Sequence, residues 1–173
     1  MFKKICNILS TVLLIVLALV AAALIVPKLL GFDQFAVLSG SMEPNIHVGA
    51  IVYDKEVETE SLEVDDVITY QLSGNTMVTH RIVAIDAEAG TVTTKGDANE
   101  TEDGSPVSFE NIVGKYAFNI PFLGYISIYA KTPLGIGAIC GILIVIILLN
   151  FLPDALSDDD DKEKEEKKKN KNK

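Results

Sequence analysis

Two long uncharged apolar segments divide the chain, one near each end. The first runs from Ile5 to Val26 and the second from Leu134 to Leu152. At ~1.5 Å per residue, helices of these lengths would extend about 33 Å and about 28 Å, which matches the hydrocarbon core of a bilayer. We therefore predict transmembrane helices over residues 5–26 and 133–152.

A cleavable secretory signal is the alternative for the first segment. Lys3 and Lys4 precede it, and Ala21 to Ala23 offer small residues for a cleavage site. However, the apolar region of a signal peptide spans only about 7–15 residues, whereas apolar character here continues to Val26. These features favour a retained anchor.

Lysines mark the outer side of both segments. Lys3 and Lys4 lie in the N-terminus 1–4, and seven lysines lie in the low-complexity tail 153–173, which we expect to be disordered. The positive-inside rule then places both termini in the cytoplasm and residues 27–132 outside. The predicted location is the plasma membrane, with two spans and an exported domain.

Short runs rich in β-branched and aromatic residues occupy the exported region, separated by turn residues such as Gly74-Asn75 and Ala89-Gly90. The predicted strands are Val48–Tyr53, Asp66–Leu72, Met77–Ile85, Thr91–Lys95 and Ile112–Phe118. No amphipathic helix is predicted there. The fold class is a mainly β exported domain flanked by two transmembrane α-helices.

Aromatic residues flank the exported domain on both sides. Phe32 and Phe35 follow the first span, and Phe122, Tyr125 and Tyr129 precede the second. Aromatic rings favour the membrane–water boundary, but they also pack well in protein cores. The sequence leaves both locations open.

Charge and cysteine content exclude several classes of function. The chain has a net charge of −9, and 16 of its 24 acidic residues lie between Asp33 and Glu110. This excess argues against a nucleic-acid partner, because no basic patch is present to contact phosphates. Cys6 and Cys140 both fall inside the spans, so the exported domain has no cysteine for a disulfide or a zinc site. We predict no metal and no organic cofactor.

Ser41, in the segment "SGSMEPN", is a candidate nucleophile that would need an adjacent base. In this interpretation Gly40 allows a tight turn beside it. The chain has two histidines, and we expect His47 to lie at the surface. In "MVTHRIVAI" the two-residue period places Val78, His80, Ile82 and Ala84 on one face of a strand. That setting suits a partly desolvated base, although a core histidine without a catalytic role fits it too.

Two acids in the segment "KGDANETEDGSP" are candidates for orienting the imidazole. A carboxylate in that role selects the imidazole tautomer and stabilises its charged form. Asp97 and Asp103 both lie in this glycine-punctuated loop after a predicted strand. Acids in such loops also occur simply because they are well solvated, so the composition of the loop leaves both interpretations open.

The segments "SGSMEPN", "THRI" and "TKGDANETED", in this order between two spans, resemble the type I signal peptidase family. The match is to its ER-type, signalase-like branch, in which histidine replaces the lysine base of the common bacterial branch. The resemblance covers about residues 35–125. The second span resembles bacterial members of this branch, which favours a bacterial plasma membrane over an endoplasmic reticulum.

The resemblance implies roles for five positions. Ser41 matches the nucleophile, His80 the general base, and Asp97 and Asp103 the two acids, of which we expect Asp103 to contact His80 directly. Ser39 matches a residue whose hydroxyl assists the backbone N–H of Ser41 in the oxyanion hole. The implied activity is that of a serine endopeptidase, signal peptidase I, which cleaves signal peptides from exported preproteins after small residues.

Two alternatives come from other functional classes. One is a catalytically inert β domain, tethered to the membrane, that binds a partner outside the cell. The other is a different membrane serine protease, such as a sheddase. Processing by a Ser41→Ala variant would separate an enzyme from a binding module, and the N-termini of the products would separate the two proteases.

Overall fold

The structure is a computed structural model that describes residues 2–72, 74 and 76–151. Its elements in chain order are α1 (Phe2–Leu29), β1 (Phe32–Ala36), β2 (Ile51–Lys55), β3 (Val67–Gln71), β4 (Met77–Asp86), β5 (Thr91–Lys95), β6 (Val107–Ser108), β7 (Ile112–Ile120), α2 (Leu123–Tyr129) and α3 (Pro133–Phe151). The predicted turn residue Asn75 and the predicted disordered tail 153–173 lie outside the described residues.

The chain divides into two units. One is Ala23–Tyr129, and the other combines the N-terminal stretch up to Ala22 with the C-terminal stretch from Ala130. Helices α1 and α3 are both long and apolar enough to cross a membrane, and only 6% of the most apolar window of each is buried. Exposed apolar surface on this scale is typical of helices that contact lipid or another protein. In the flanking unit, Ser10 Oγ donates to Asn150 Oδ1 over 3.4 Å.

The unit Ala23–Tyr129 contains a single seven-stranded antiparallel sheet with the order β1-β2-β7-β3-β4-β5-β6. The five strands predicted from the sequence are present as β2, β3, β4, β5 and β7. The long apolar helices together with this sheet confirm the predicted fold class.

Two apolar clusters stabilise the sheet. One consists of buried residues from the centre and the β6 edge, namely Leu62, Ile68, Tyr70, Ile82, Val92 and Val107. The other joins the loop after β1 to strands β2 and β3, and contains Met42, Ile46, Ala50, Val52 and Val67. The second cluster positions the loop that carries Ser41, because three of its members, Met42, Ile46 and Ala50, belong to that loop.

Three elements were not predicted. β1 lacks a two-residue period, because its aromatic residues Phe32 and Phe35 are three positions apart, and its strand conformation comes from pairing with β2. β6 has only two residues. Helix α2 has seven residues, too few for a visible amphipathic pattern, and is held by a 2.9 Å hydrogen bond from Gly124 N to Gly49 O.

Two details of predicted strands are also corrected. β2 begins at Ile51 rather than Val48, because Gly49 adopts φ +83° and the ring of Tyr125 occupies the space where a Cβ would lie. In β4, a bulge between Ile82 and Ala84 breaks the alternation, so Ala84 is exposed instead of sharing the face of His80.

The flanking aromatic residues divide between the two expected locations. Phe32 packs edge-to-face on Phe118, with ring centroids 5.7 Å apart, and Tyr53 stacks on the same ring at 4.6 Å. Phe122 is 74% exposed. The first flank therefore contributes to protein packing, whereas Phe122 projects from the domain.

Candidate active site

Ser41 lies in the loop that joins β1 to β2. The base of this loop is closed by two 2.9 Å hydrogen bonds, from Val37 N to Ala50 O and from Gly49 N to Val37 O. Met42 and Ile46 are buried beneath it, so the loop is packed against the second cluster. Because one side of the loop packs against this cluster, the hydroxyl of Ser41 lies on the opposite, open side.

The close backbone approach in this region occurs at Gly96 rather than at Gly40. A Cβ added at Gly40 would only reach Glu43 Cγ at 3.4 Å, so the loop does not require glycine there. A Cβ at Gly96 would lie 2.7 Å from the carbonyl oxygen of Ser41 and 3.0 Å from His80 Nε2. Gly96 therefore allows the serine loop and the imidazole to approach the same point.

His80 is buried on β4, with a 9% exposed side chain, as expected for a base removed from bulk water. Its Nδ1 lies 2.6 Å from Asp103 Oδ2. The hydrogen-bond network assigns the proton to Nδ1, since a carboxylate can only accept. Nε2 is then the unprotonated nitrogen, and it lies on the side of Gly96 and the serine loop. His47, by contrast, is exposed and pairs with Glu43.

Asp103 accepts two further hydrogen bonds on the oxygen that contacts His80. Tyr70 donates its hydroxyl to Oδ2 over 3.0 Å, and Thr94 donates its hydroxyl over 2.6 Å. Burial raises the pKa of Asp103, but these hydrogen bonds and the one from His80 outweigh it, and the net pKa is lowered. The carboxyl is therefore ionised at neutral pH.

Asp97 lies between β4 and the serine loop instead of against the imidazole. Arg81 donates to both of its oxygens, Nε to Oδ1 over 2.8 Å and an Nη to Oδ2 over 2.7 Å. Asn45, from the serine loop, donates to Oδ2 over 2.7 Å. The hydrogen bond from Arg81 is the main reason that the pKa of Asp97 is lowered. The next residue, Ala98, donates its N–H to the carbonyl of Ser41 over 2.9 Å.

A cavity of about 670 Å³ brings the serine loop and β4 together. Ser39, Ser41 and His80 all line it, and Ser39 Oγ lies 3.4 Å from Ser41 Oγ. Among the described residues, no hydrogen bond joins Ser41 Oγ to His80 Nε2. Nucleophile–base hydrogen bonds are often long without substrate, so this arrangement remains compatible with proton transfer.

Several residues of the site were not singled out from the sequence. They are Gly96, Asn45, Arg81, Tyr70 and Thr94. Gly96 and Asn45 lie inside segments quoted above, so their positions beside Asp97 and Ser41 offered a signal. The sequence indicates only that Tyr70 and Thr94 are strand residues. Nothing in their own segments indicates a contact with Asp103, which lies 33 residues after Tyr70 and 9 residues after Thr94. In the described part of the chain, no three His, Cys, Asp or Glu side chains form a group that could hold a metal ion.

The fold and the site together define a β domain attached to apolar helices, in which a serine and a histidine line one cavity, one aspartate is bonded to the histidine and a second to the serine loop. The chain is 41% identical over 99 residues to signal peptidase I W of Bacillus subtilis, covering 55% of the chain and 52% of that protein. It is 34% identical over 103 residues to the signal peptidase complex catalytic subunit SEC11 of Lodderomyces elongisporus, covering 53% and 61%.

SEC11C of Rattus norvegicus is 25% identical over 120 residues, which cover 61% of the chain and 62% of that protein. No family model matches the chain. The chain thus spans between 52% and 62% of the length of these three relatives. The chain is therefore similar, over 53% to 61% of its own length, to proteins named signal peptidase I or signal peptidase complex catalytic subunit.

Proposed function

We propose that this protein is a membrane-bound signal peptidase I that cleaves signal peptides from exported preproteins through a serine nucleophile and a histidine base. The single observation that carries the proposal is that Ser41 and His80 line one cavity, while Nδ1 of His80 contacts Asp103 and Nε2 lies on the side of the loop that carries Ser41. The similarity to proteins named signal peptidase I and SEC11 supports the same chemistry.

In the proposed mechanism, His80 Nε2 takes the proton of Ser41 Oγ as this oxygen attacks the scissile carbonyl. Asp103 keeps the Nδ1–H tautomer and stabilises the imidazolium that forms. The backbone N–H of Ser41 and the hydroxyl of Ser39 donate to the oxyanion, and one such donor is worth about 2.7–4 kcal/mol. His80 then gives its proton to the leaving amine, and water hydrolyses the acyl-enzyme.

The cavity suits an extended apolar peptide. Residues 35–39 line one side and residues 76–80 the other, and Phe35, Val37, Leu38, Met77 and Val78 supply an apolar surface. A signal peptide with small residues near its cleavage point would lie there and bond to main-chain groups of the walls. No cofactor takes part in the proposed reaction.

Asp97 has a supporting role in this proposal. Its carboxylate links Arg81 on β4 to Asn45 in the serine loop, so it fixes the distance between the two chain segments that carry His80 and Ser41. Bidentate pairing with arginine gives such a link a defined geometry. We expect Asp97 to act on Ser41 through position rather than through proton transfer.

For the whole protein we propose a plasma-membrane location with two spans, cytoplasmic termini and an exported domain. The lysines at the outer ends of the apolar segments support this orientation. A substrate held in the same bilayer meets the enzyme at a raised effective concentration, as a tethered ligand does.

The test is cleavage of a preprotein by the full chain in detergent. Ser41→Ala and His80→Ala should abolish processing, whereas Ser61→Ala and His47→Ala, which change an exposed serine and the other histidine, should retain it. Wild-type activity should rise along an acidic limb, because a general base acts only in its unprotonated form. Product N-termini should begin just beyond the apolar segment of the substrate.

Three results would contradict the proposal or part of it. Unchanged processing by Ser41→Ala would favour a tethered binding domain. Cleavage at sites unrelated to a signal peptide would favour another membrane protease. Activity that stays flat through the imidazole region, together with an active His80→Ala variant, would remove His80 as the base.

A further inference from the structure

One oxygen of Asp103 is the meeting point of three hydrogen-bond donors. Oδ2 accepts from His80 Nδ1 over 2.6 Å, from Thr94 Oγ1 over 2.6 Å and from Tyr70 OH over 3.0 Å. A carboxylate with this many donors is held in a single orientation, because any rotation breaks more than one bond at once.

Three neighbouring strands supply these donors. Tyr70 belongs to β3, His80 to β4 and Thr94 to β5, and the sheet order places these strands side by side. The register pairs Tyr70 with Val78 and Ile82 with Thr94, so the three side chains project from one face. The arrangement is therefore a property of the sheet, which is more rigid than the loop that carries Asp103.

The hydroxyl protons can be assigned by counting. Thr94 has one proton, and its oxygen lies 2.6 Å from Asp103 Oδ2 but 3.3 Å from the Tyr70 oxygen. The shorter contact is the one that a carboxylate acceptor strengthens. Tyr70 also has one proton, which points to Oδ2. All three donors are satisfied only when Asp103 is ionised.

Burial makes these contacts hard to exchange for water. Tyr70 is 2% exposed and Thr94 is completely buried. If Asp103 turned away, both buried hydroxyls would lose their carboxylate acceptor, and an unsatisfied buried polar group is unfavourable. Burial also raises the pKa of Tyr70 to about 12, so it remains a donor across the working pH range.

We propose that Tyr70 and Thr94 are positioning residues that hold the Asp103 carboxylate on His80 Nδ1 and thereby keep His80 Nε2 unprotonated and directed at the serine loop. This inference rests on the proposed function. Neither residue lines the cavity of about 670 Å³ that contains Ser41, and Tyr70 lines a second cavity of about 420 Å³ together with His80 and Asp103, so we assign the effect of both hydroxyls to Asp103.

The proposal has a consequence for pH dependence. The titratable groups that face His80 are Asp103 and Asp97 from the loop after β5 and Tyr70 from β3, while Arg81 neutralises Asp97. The two hydroxyls disperse the negative charge of Asp103. Without them, more of that charge acts on His80 and favours the imidazolium, so the acidic limb of activity should move to higher pH.

The experiment compares Tyr70→Phe, Thr94→Val and the double variant with wild type in preprotein cleavage by the full chain in detergent. We expect each single change to lower kcat roughly 10- to 100-fold, the size of one lost hydrogen bond to a charged group, with KM within about twofold of wild type. The acidic limb should move to higher pH, because less of the Asp103 charge is dispersed. Thr94→Ser, which keeps the hydroxyl, should restore both values.

Thr69→Val is the matched control. Thr69 is a completely buried threonine next to Tyr70 on β3, and its hydroxyl bonds to Thr79 over 2.8 Å rather than to Asp103. We expect this change to lower thermal stability without moving the acidic limb. Thermal unfolding of every variant shows which ones are folded, and if the double variant is not, the Thr94→Val and Thr94→Ser pair decides.

The outcomes separate the two proposals. If folded Tyr70→Phe and Thr94→Val have the kcat and acidic limb of wild type while Asp103→Asn is inactive, the positioning inference is wrong and the proposed mechanism stands. If Asp103→Asn itself is as active as wild type, Asp103 does not orient the base and both fail. A fall in kcat with a raised acidic limb and rescue by Thr94→Ser supports the inference.

Discussion

Asp103 and Asp54 are two carboxyl groups withdrawn from water in very different surroundings. Asp103 keeps 22% of its side chain exposed and accepts three hydrogen bonds on one oxygen, and its pKa is lowered. Asp54, on β2, is completely buried, and neither of its oxygens has a hydrogen-bond partner. Burial raises its pKa to about 6, and the nearby Thr69 hydroxyl offsets only part of this effect.

The comparison teaches that donors, rather than burial, decide what a buried carboxyl contributes. Asp103 favours the folded state when ionised, and this contribution is lost only as the pH falls through its lowered pKa. Asp54 has the opposite sign, because its contribution is present below about pH 4 and is lost as the pH rises through about 6. The ionised carboxylate of Asp103 suits a functional site, whereas ionisation of Asp54 destabilises the folded state at neutral pH.

The largest effect should come from removing the carboxylate that has donors. Asp103→Asn cannot accept from His80 Nδ1–H with the same strength and favours the wrong tautomer, so kcat should fall about 10³–10⁴-fold. Steady-state cleavage of a preprotein measures this. Glu102→Gln, an exposed neighbour, should behave like wild type, and equal losses in both variants would show that loop charge, not the contact with His80, matters.

The second-largest effect should come from displacing the loop that carries Asp97 and Asp103 while every hydrogen-bond donor to these carboxylates is kept. Gly96→Ala places a methyl group 2.7 Å from the Ser41 carbonyl and 3.0 Å from His80 Nε2, which forces the two segments apart. We expect kcat to fall roughly 10–100-fold, as misplacement by about 1 Å does. Gly104→Ala, in the same loop with open space around it, is the control and should retain activity.

The carboxyl without donors should matter for stability and not for catalysis. Asp54→Asn removes a charge that is buried at neutral pH, so the free energy of unfolding at pH 8 should increase by up to about 3 kcal/mol. The gain should shrink as the pH falls and disappear near pH 4. Thermal unfolding in detergent at both pH values measures it, with Asp86→Asn, at an exposed aspartate at the end of β4, as control. A gain independent of pH would contradict the assignment of the effect to ionisation.

The smallest effect should come from the second hydrogen-bonded carboxylate, Asp97. Asn45→Ala removes one of its donors but leaves the two bonds from Arg81, so the serine loop should loosen only slightly. We expect a roughly two- to fivefold loss of kcat, the size of one exposed hydrogen bond. A loss as large as that of Asp103→Asn would mean that the link between Asn45 and Asp97 matters as much to the site as the contact of Asp103 with His80.

Local sequence patterns were sufficient for much of this molecule. The two long helices follow from uncharged apolar length, and strands β3, β4, β5 and β7 follow from runs of β-branched residues between turns. Ser41, His80, Asp97 and Asp103 were chosen from motifs and residue chemistry. Such features are encoded within about 20 neighbouring residues, so they can be recognised without knowing which segments meet.

Only the tertiary structure decided which groups lie next to one another. Asp97 and Asp103 are six residues apart in one loop, yet one contacts Arg81 and the other His80. The order and register of the strands place Tyr70 and Thr94 beside Asp103, and Gly96 beside Ser41. The same assembly leaves Asp54 without a hydrogen-bond donor. Side-chain periodicity gives the face of a strand but not its neighbours, so hydrogen-bond partners and the resulting pKa shifts depend on how the sheet is assembled.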